Sequence, residues 1–233
     1  MINGINSREM ILEILLEIEE GEHSHVAIRN ALSKYQFLPK QDRAFITRVC
    51  EGTLEYRIQI DYIINSFSKV TVDKMKPAIR EILRSAVYQL KYMDSVPDSA
   101  VCNEAVKLAQ RKGFYNLKPF VNGVLRTIAR EMDQVRFPQK EDDLLKYLSV
   151  KYSMPEVLVT RWLEAYGEET TEKILADFLT EHPLTIRCRT YLNSKEEIIK
   201  SLESQGVHVA PAPYLSYAYS ISEFNHILAL DAF

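Results

Sequence analysis

Apolar residues return at helical spacing through the first 130 residues of the chain, and cap and stop residues fall in the gaps between them. Asn6 with Glu9 three residues on predicts an N-cap and its capping-box partner. Ile11, Leu12, Leu15, Leu16 and Ile18 form the apolar stripe of that first helix, and Gly21 is its stop. A second helix is expected over about 24–35, with Val26, Ala27, Ala31 and Leu32 inward, and a third from Pro39, carrying Phe45, Ile46, Val49 and Leu54. "IQIDYIINSF" supplies a fourth. Pro77 suits the first turn of a fifth, whose inward positions are Ile79, Ile82, Leu83, Ala86, Val87 and Leu90. Pro97 and Asp98 open the next helix, Gly113 closes it, and Pro119 opens another. No segment before Glu131 alternates as a strand would, so this part reads as a helical bundle.

The pattern then changes twice. "MDQVRFPQKEDD" has charges, Pro138 and no periodicity, as a linker would. Helices resume in "LLKYLSVKY", "PEVLVTRWLEAYG" and "TTEKILADFLTEH", where Trp162 sits among apolar residues as a core anchor. After Pro183, "LTIRCRTYL" alternates, placing Ile186 and Cys188 on one face and Arg187 and Arg189 on the other. "NSKEEIIKSLESQG" reads as a helix capped by Asn193 with Glu196 at the third position, and "VHVAPAPYLSYAYSIS" as further strand. The expected fold is mainly α: a helical bundle over 1–135, a helical linker over 136–182, and a small, incomplete α+β subdomain of βαβ type over 183–233. The closing "SEFNHILALDAF" starts a helical pattern and stops on Phe233 without a cap, so the sequence is expected to be part of a longer chain.

Composition adds bounds. Of the 233 residues, 46% are apolar and 26% charged, as in ordinary globular proteins, and no run is long and apolar enough to span a membrane. The acidic N-terminus does not resemble an export signal, and Cys50, Cys102 and Cys188, odd in number and widely spaced, fit reduced thiols in a cytoplasm. The net charge of −3 is unevenly spread: Glu9 to Glu22 holds six acidic and no basic residues, whereas Lys69 to Arg130 holds 12 Lys and Arg against 5 Asp and Glu. The basic stretch suits either a solvated surface or a phosphate backbone.

Reaction chemistry is absent from the pattern. The seven glycines are scattered, so no dinucleotide, Walker or methyl-donor loop exists. His23 and His25 lack zinc spacing, and His182, His208 and His226 stand alone. Neither catalytic residues nor a metal or cofactor site can be named in this chain.

One feature of the helices is odd. Asn103 and the Asn122-Gly123 pair lie inside otherwise strong helices, where Asn and Gly are unfavourable. Close helix packing at Gly123, with both asparagines bonded to a neighbouring backbone, is the structural expectation; direct contact of the asparagines with RNA is the alternative.

The same residues carry a resemblance. "VPDSAVCNEAVKLAQRKG" followed by "LKPFVNGVLR" resembles the signature of the NusB family of RNA-binding helical antitermination factors, and "IREILRSAVYQLKY" and "SREMILEILLEIEEG" resemble that family's earlier helices, over about 6–131. "HPLTIRCRTYLNSKEEIIKSLESQG" resembles the segment that follows the NusB-like domain in Sun/Fmu-type ribosomal RNA cytosine-5 methyltransferases. That resemblance implies an RNA-binding N-terminal portion of a 16S ribosomal RNA methyltransferase. S-adenosylmethionine and the catalytic cysteines would be held by a further domain. Cys50, Cys102 and Cys188 follow Val49, Val101 and Arg187, so none matches the family's Pro-Cys motif. An antitermination factor with an extra domain is the second reading, and a protein-interaction domain without RNA binding the third.

The resemblance also implies where RNA is held. Arg8 matches a basic position of NusB proteins, and Lys118 and Phe120 open the "FVNGVL" helix, whose first-turn amides favour an anion. Phe120 has core packing as its other reading. Lys107, Arg111, Lys112, Arg126 and Arg130 extend the patch, and Arg187 and Arg189 form a second one, either for RNA or simply solvated. Small-subunit ribosomal RNA is the implied partner, with a homodimer or ribosomal-protein contact besides; Glu13, Glu17, Glu20 and Glu22 would face that protein, or water.

Overall fold

Caps and breakers set the helix ends much as the pattern predicts. The computed structural model describes residues 6–35, 38–180, 182–224 and 227–232; His226 and Phe233 of the sequence reading lie outside them. The bundle consists of α1 (Ser7–Glu19), α2 (Ser24–Lys34), α3 (Lys40–Glu55), α4 (Arg57–Phe67), α5 (Pro77–Tyr92), α6 (Asp98–Arg111) and α7 (Lys118–Glu131). Asn6 caps α1 by accepting from the amides of Arg8 (2.9 Å) and Glu9 (3.3 Å). Gly21 and Gly113, at φ of 112° and 86°, turn the chain out of α1 and α6 in the left-handed region that glycine tolerates.

Helix α5 is the centre of the bundle, touching α1, α3, α4, α6 and α7. A helix surrounded in this way buries polar as well as apolar positions, and each polar one needs a partner. Glu81, 4% exposed, bonds to Arg84 at 2.6 Å, and Arg84 forms a two-pronged pair with Asp61 of α4 at 2.7 and 2.6 Å. Burial still holds the Glu81 carboxyl above its ordinary range, against the opposing pull of Arg84. Ser85 donates to the Glu81 carbonyl and Gln89 to the Ser85 carbonyl, at 2.8 and 2.9 Å. Around these groups the inward faces of α1, α3, α4, α6 and α7 form one continuous apolar core.

Two more helices, α8 (Leu144–Lys151) and α9 (Glu156–Phe178), follow in the stretch expected as a linker. Gly167, at φ 73° and ψ 176°, interrupts α9 between the two segments that the pattern separates. Gln59, buried on α4, donates its amide to the carbonyls of Val150 (3.2 Å) and Lys151 (3.1 Å), and the Ile58 amide donates to Ser153 Oγ at 3.1 Å. The end of α8 is thereby fastened to the bundle, and Met1–Phe178 forms one compact unit. Trp162 is half-buried beside Leu148, Val159 and Leu175, with its ring stacked 5.7 Å from that of Phe178.

Leu179–Phe233 forms the second unit. It contains β1 (Leu184–Arg187), α10 (Lys195–Ser204), β2 (His208–Pro211) and β3 (Ala218–Ser222). The sheet order is β1-β3-β2, antiparallel at both joins, with Ile186 opposite Tyr219 and Val209 opposite Ile221. β1 and β2 therefore run parallel to each other with α10 between them in sequence, the βαβ type that the pattern predicts, here with β3 inserted. Leu202, Val207 and Ile221 form its core. The α10 cap differs from the expectation by one residue. Ser194, not Asn193, accepts from the third amide, and Glu197, not Glu196, returns the bond to the Ser194 amide at 2.9 Å. "NSKEE" fits the box in both registers, and the helix begins at Lys195.

Candidate nucleic-acid interface

Helices α6 and α7 form an antiparallel hairpin whose inner faces carry Val101, Ala105, Leu108, Val121, Val124, Leu125 and Ile128 into the core. That leaves Asn103 and Lys107 exposed on α6, and Pro119, Gly123, Arg126 and Arg130 exposed along one stripe of α7. The Arg126 guanidinium donates to Asn122 Oδ1 at 3.0 Å and to Asn103 Oδ1 at 3.4 Å. The asparagines thus bond a side chain of the hairpin surface rather than the neighbouring backbone that the sequence reading expected. Gly123 is also corrected: a Cβ there would meet nothing within 4 Å, so close helix packing does not explain this glycine.

The basic side chains divide into paired and unpaired ones. Lys112 bonds Glu9 (2.9 Å) and Glu13 (3.0 Å) of α1, and Lys107 bonds Glu104 at 2.7 Å. Arg111 lies 3.7 Å from Glu9 and 3.8 Å from Glu104. The bond from Lys107 holds the Glu104 carboxyl below its ordinary range. The acidic first helix therefore spends part of its charge on the end of α6, while Glu17, Glu20 and Glu22 stay exposed. Arg130 pairs with Glu131 at 2.6 Å. Arg126, in contrast, has no carboxylate within ion-pair distance among the described residues, and neither does Lys118 at the start of α7.

Two of the expected contacts are drawn inward. Arg8 is half-buried, donates to Gln89 Oε1 at 3.2 Å, and lies over the Phe45 ring at 5.3 Å. Burial lowers its pKa, with Glu104 pulling the other way. Phe120 is half-buried against the bundle core. In the second unit, Arg187 ends β1 and Arg189 lies two residues beyond it rather than on the strand face that the pattern predicts; both are exposed and border an open cleft of about 810 Å³ with Thr185, Asn193 and Glu197.

The sequence model of the NusB family matches residues 5–130, more than half of the chain. The chain belongs to the NusB family. A second model, the Methyltr_RsmF/B-like, ferredoxin-like domain, matches residues 154–227. The chain is 32% identical over 202 residues to the "Probable ribosomal RNA small subunit methyltransferase B" of Bacillus subtilis (strain 168); the aligned region is 87% of this chain but 44% of that protein. It is 33% identical over 128 residues to the "Transcription antitermination protein NusB" of Bacillus velezensis, 54% of this chain and 95% of that one. Among solved structures, the crystal structure of PH0851 shares the fold, with a TM-score of 0.68 at 22% identity over 99% of this chain and 52% of that one. The chain thus spans less than half the length of the methyltransferase relative that it matches.

On this hairpin surface the sequence reading took Gly123 for a packing residue and gave Asn103 and Asn122 bonds to a neighbouring backbone, with RNA contact as the alternative; it did not foresee that both asparagines hold Arg126. The i,i+4 spacing of Asn122 and Arg126 was a usable signal. The contact of Asn103 with Arg126, 23 positions apart in sequence, was not.

Proposed function

We propose that this chain is the RNA-recognition portion of a small-subunit ribosomal RNA cytosine-5 methyltransferase, positioning the transcript for methyl transfer carried out elsewhere in the protein. The observation that supports it most is the tandem order of the two family matches, a NusB region at 5–130 and a methyltransferase-associated ferredoxin-like region at 154–227, on one chain. The antitermination relative covers 54% of the chain, whereas the methyltransferase relative covers 87%.

The chain's own residues do not fit a methyl donor. The turn from β1 into α10 runs through "CRTYLNS" without a glycine, and the described sheet has three strands joined antiparallel rather than a parallel sheet with an open crevice. S-adenosylmethionine therefore belongs, in this reading, to the part of the relatives that the chain does not span, and the bond-making falls to residues of that part. Affinity for RNA comes from cations meeting phosphates, with the α6–α7 hairpin and the Arg187–Arg189 edge as the two contact regions.

Binding of the chain to a small-subunit ribosomal RNA transcript and to an antitermination RNA, each across a salt series, tests the proposal. Tighter binding to the ribosomal transcript, weakening steeply with salt, is expected. Preference for the antitermination RNA points to the factor reading instead, and absence of binding to both at low salt removes RNA recognition altogether.

A further inference from the structure

Gly123 poses a problem that the fold does not answer. It lies in the middle of α7, where glycine destabilises a helix relative to alanine by its extra backbone freedom. No positive φ demands it, and open space surrounds the position where a Cβ would stand. One turn earlier on the same exposed stripe is Pro119, and one turn later are Arg126 and then Arg130. The stripe is low in relief at one end and cationic at the other.

Resting on the RNA-binding reading above, we propose that the outer face of the α6–α7 hairpin is a seat for an RNA sugar-phosphate backbone, in which Gly123 lets the strand approach the helix surface and Arg126 receives a phosphate. The two asparagines explain how Arg126 is readied. Their amide oxygens are neutral acceptors, so they fix the guanidinium without cancelling its charge. A carboxylate in their place would hold it equally well and neutralise it, as Glu9 and Glu13 do for Lys112. Two of the five guanidinium donors are occupied by the asparagines, which leaves a planar, charged group with donors to spare for a phosphate. Lys107 and Arg130 flank the seat on the two helices. A close approach of backbone to a ligand is one of the few circumstances that favour glycine over alanine within a helix.

The test uses the full chain and a small-subunit ribosomal RNA transcript, with affinity followed from low to moderate salt. Gly123→Gln adds an uncharged, helix-compatible side chain to an exposed site, so the fold is retained; affinity is expected to fall at least tenfold. Arg126→Gln is expected to cause a comparable loss and to reduce the salt slope by about one. Asn103→Ala keeps the charge but removes one of the two acceptors that hold the guanidinium, and a smaller loss with an unchanged salt slope is expected. Gly123→Ala is expected to raise the thermal midpoint while weakening RNA. Wild-type affinity in both Gly123→Gln and Arg126→Gln, with the parent chain binding well, overturns the seat and leaves the RNA-binding reading intact. A loss confined to Arg126→Gln overturns the close approach at Gly123. A parent chain that binds no ribosomal RNA at low salt overturns both.

Discussion

Gly52 on α3 leaves the room that the Tyr88 ring of α5 fills: a Cβ at position 52 would fall inside the van der Waals surface of that ring. Tyr88 is 6% exposed and has Tyr56 and Tyr92 beside it, with ring centroids 6.4 and 5.3 Å away, so it has little space to swing aside. Gly52→Ala is therefore expected to destabilise the chain by about 1–3 kcal/mol, the usual cost of overfilling a packed interior. Urea unfolding measures it. Combining it with Tyr88→Leu is expected to recover part of the loss, because the two positions share one space; strictly additive losses would show that the contact is not the cause.

Gln59 holds the end of α8 through a single amide group bonded to two carbonyls. Gln59→Leu keeps the bulk but strands both acceptors in a largely buried place, with an expected cost of about 2–3 kcal/mol. Hydrogen exchange followed by mass spectrometry is expected to show faster exchange across α8, with the core of α5 changed less. Equal acceleration in both helices would mean that α8 is not separately fastened.

Acid should loosen the α8–α9 pair before it unfolds the bundle. Glu172 of α9 is held mainly by its bond to Lys151 of α8 at 2.9 Å, with Tyr152 bonding at 3.0 Å and Lys140 at 3.3 Å, and its pKa falls to about 2. A carboxylate whose folded pKa is depressed stabilises the fold at pH above its unfolded value, roughly 4.3, and that contribution disappears as the pH falls toward 2. Partial exposure to water keeps the effect near 1 kcal/mol. Glu172→Gln is expected to be less stable than the parent at pH 7 and no less stable at pH 2, as read from unfolding curves at the two values.

The proposed interface makes the carboxylates of α1 competitors of RNA for Lys112, which they hold in ion pairs. Replacing Glu9 and Glu13 together by Gln leaves the Lys112 ammonium unpaired, and affinity for a ribosomal RNA transcript is expected to rise severalfold with a salt slope steeper by about one. Because Glu9 also sits favourably at the positive end of α1, a small loss of stability, about 0.3–1 kcal/mol, should accompany the gain. Unchanged RNA affinity would place Lys112 outside the interface.

Local rules carried the helices well. Pro77, Pro97, Gly21 and Gly113 each act within one turn of themselves, and the apolar stripes of α1, α5 and α7 report burial directly. Where two local solutions coexist, as in "NSKEE", periodicity alone could not choose between Asn193 and Ser194. What depends on distant pairing stayed hidden: Lys112 meets Glu13 across 99 positions, Gln59 meets Lys151 across 92, and neither residue type announces its partner. The charge of the patch was readable from the sequence, but its internal neutralisation was not. Gly123 was read as a packing residue because close packing is what a helix-interior glycine usually serves, and only the open space above it removes that explanation.

The two rims of the small sheet are unequal. Ala212 donates to the carbonyl of Ala218 at the start of β3 and Cys188 to that of Tyr217 just before it, which fixes the alternation and turns the peptide groups of Val209 and Pro211 outward on β2, and those of Thr185 and Arg187 outward on β1. Proline has no N–H, so β2's free border is missing one of its two donors, a device that discourages strand-to-strand stacking. β1's border keeps both. Any extra strand recruited to this sheet, whether from the same polypeptide or from a neighbour in an aggregate, therefore has its welcoming side beside Thr185 and Arg187.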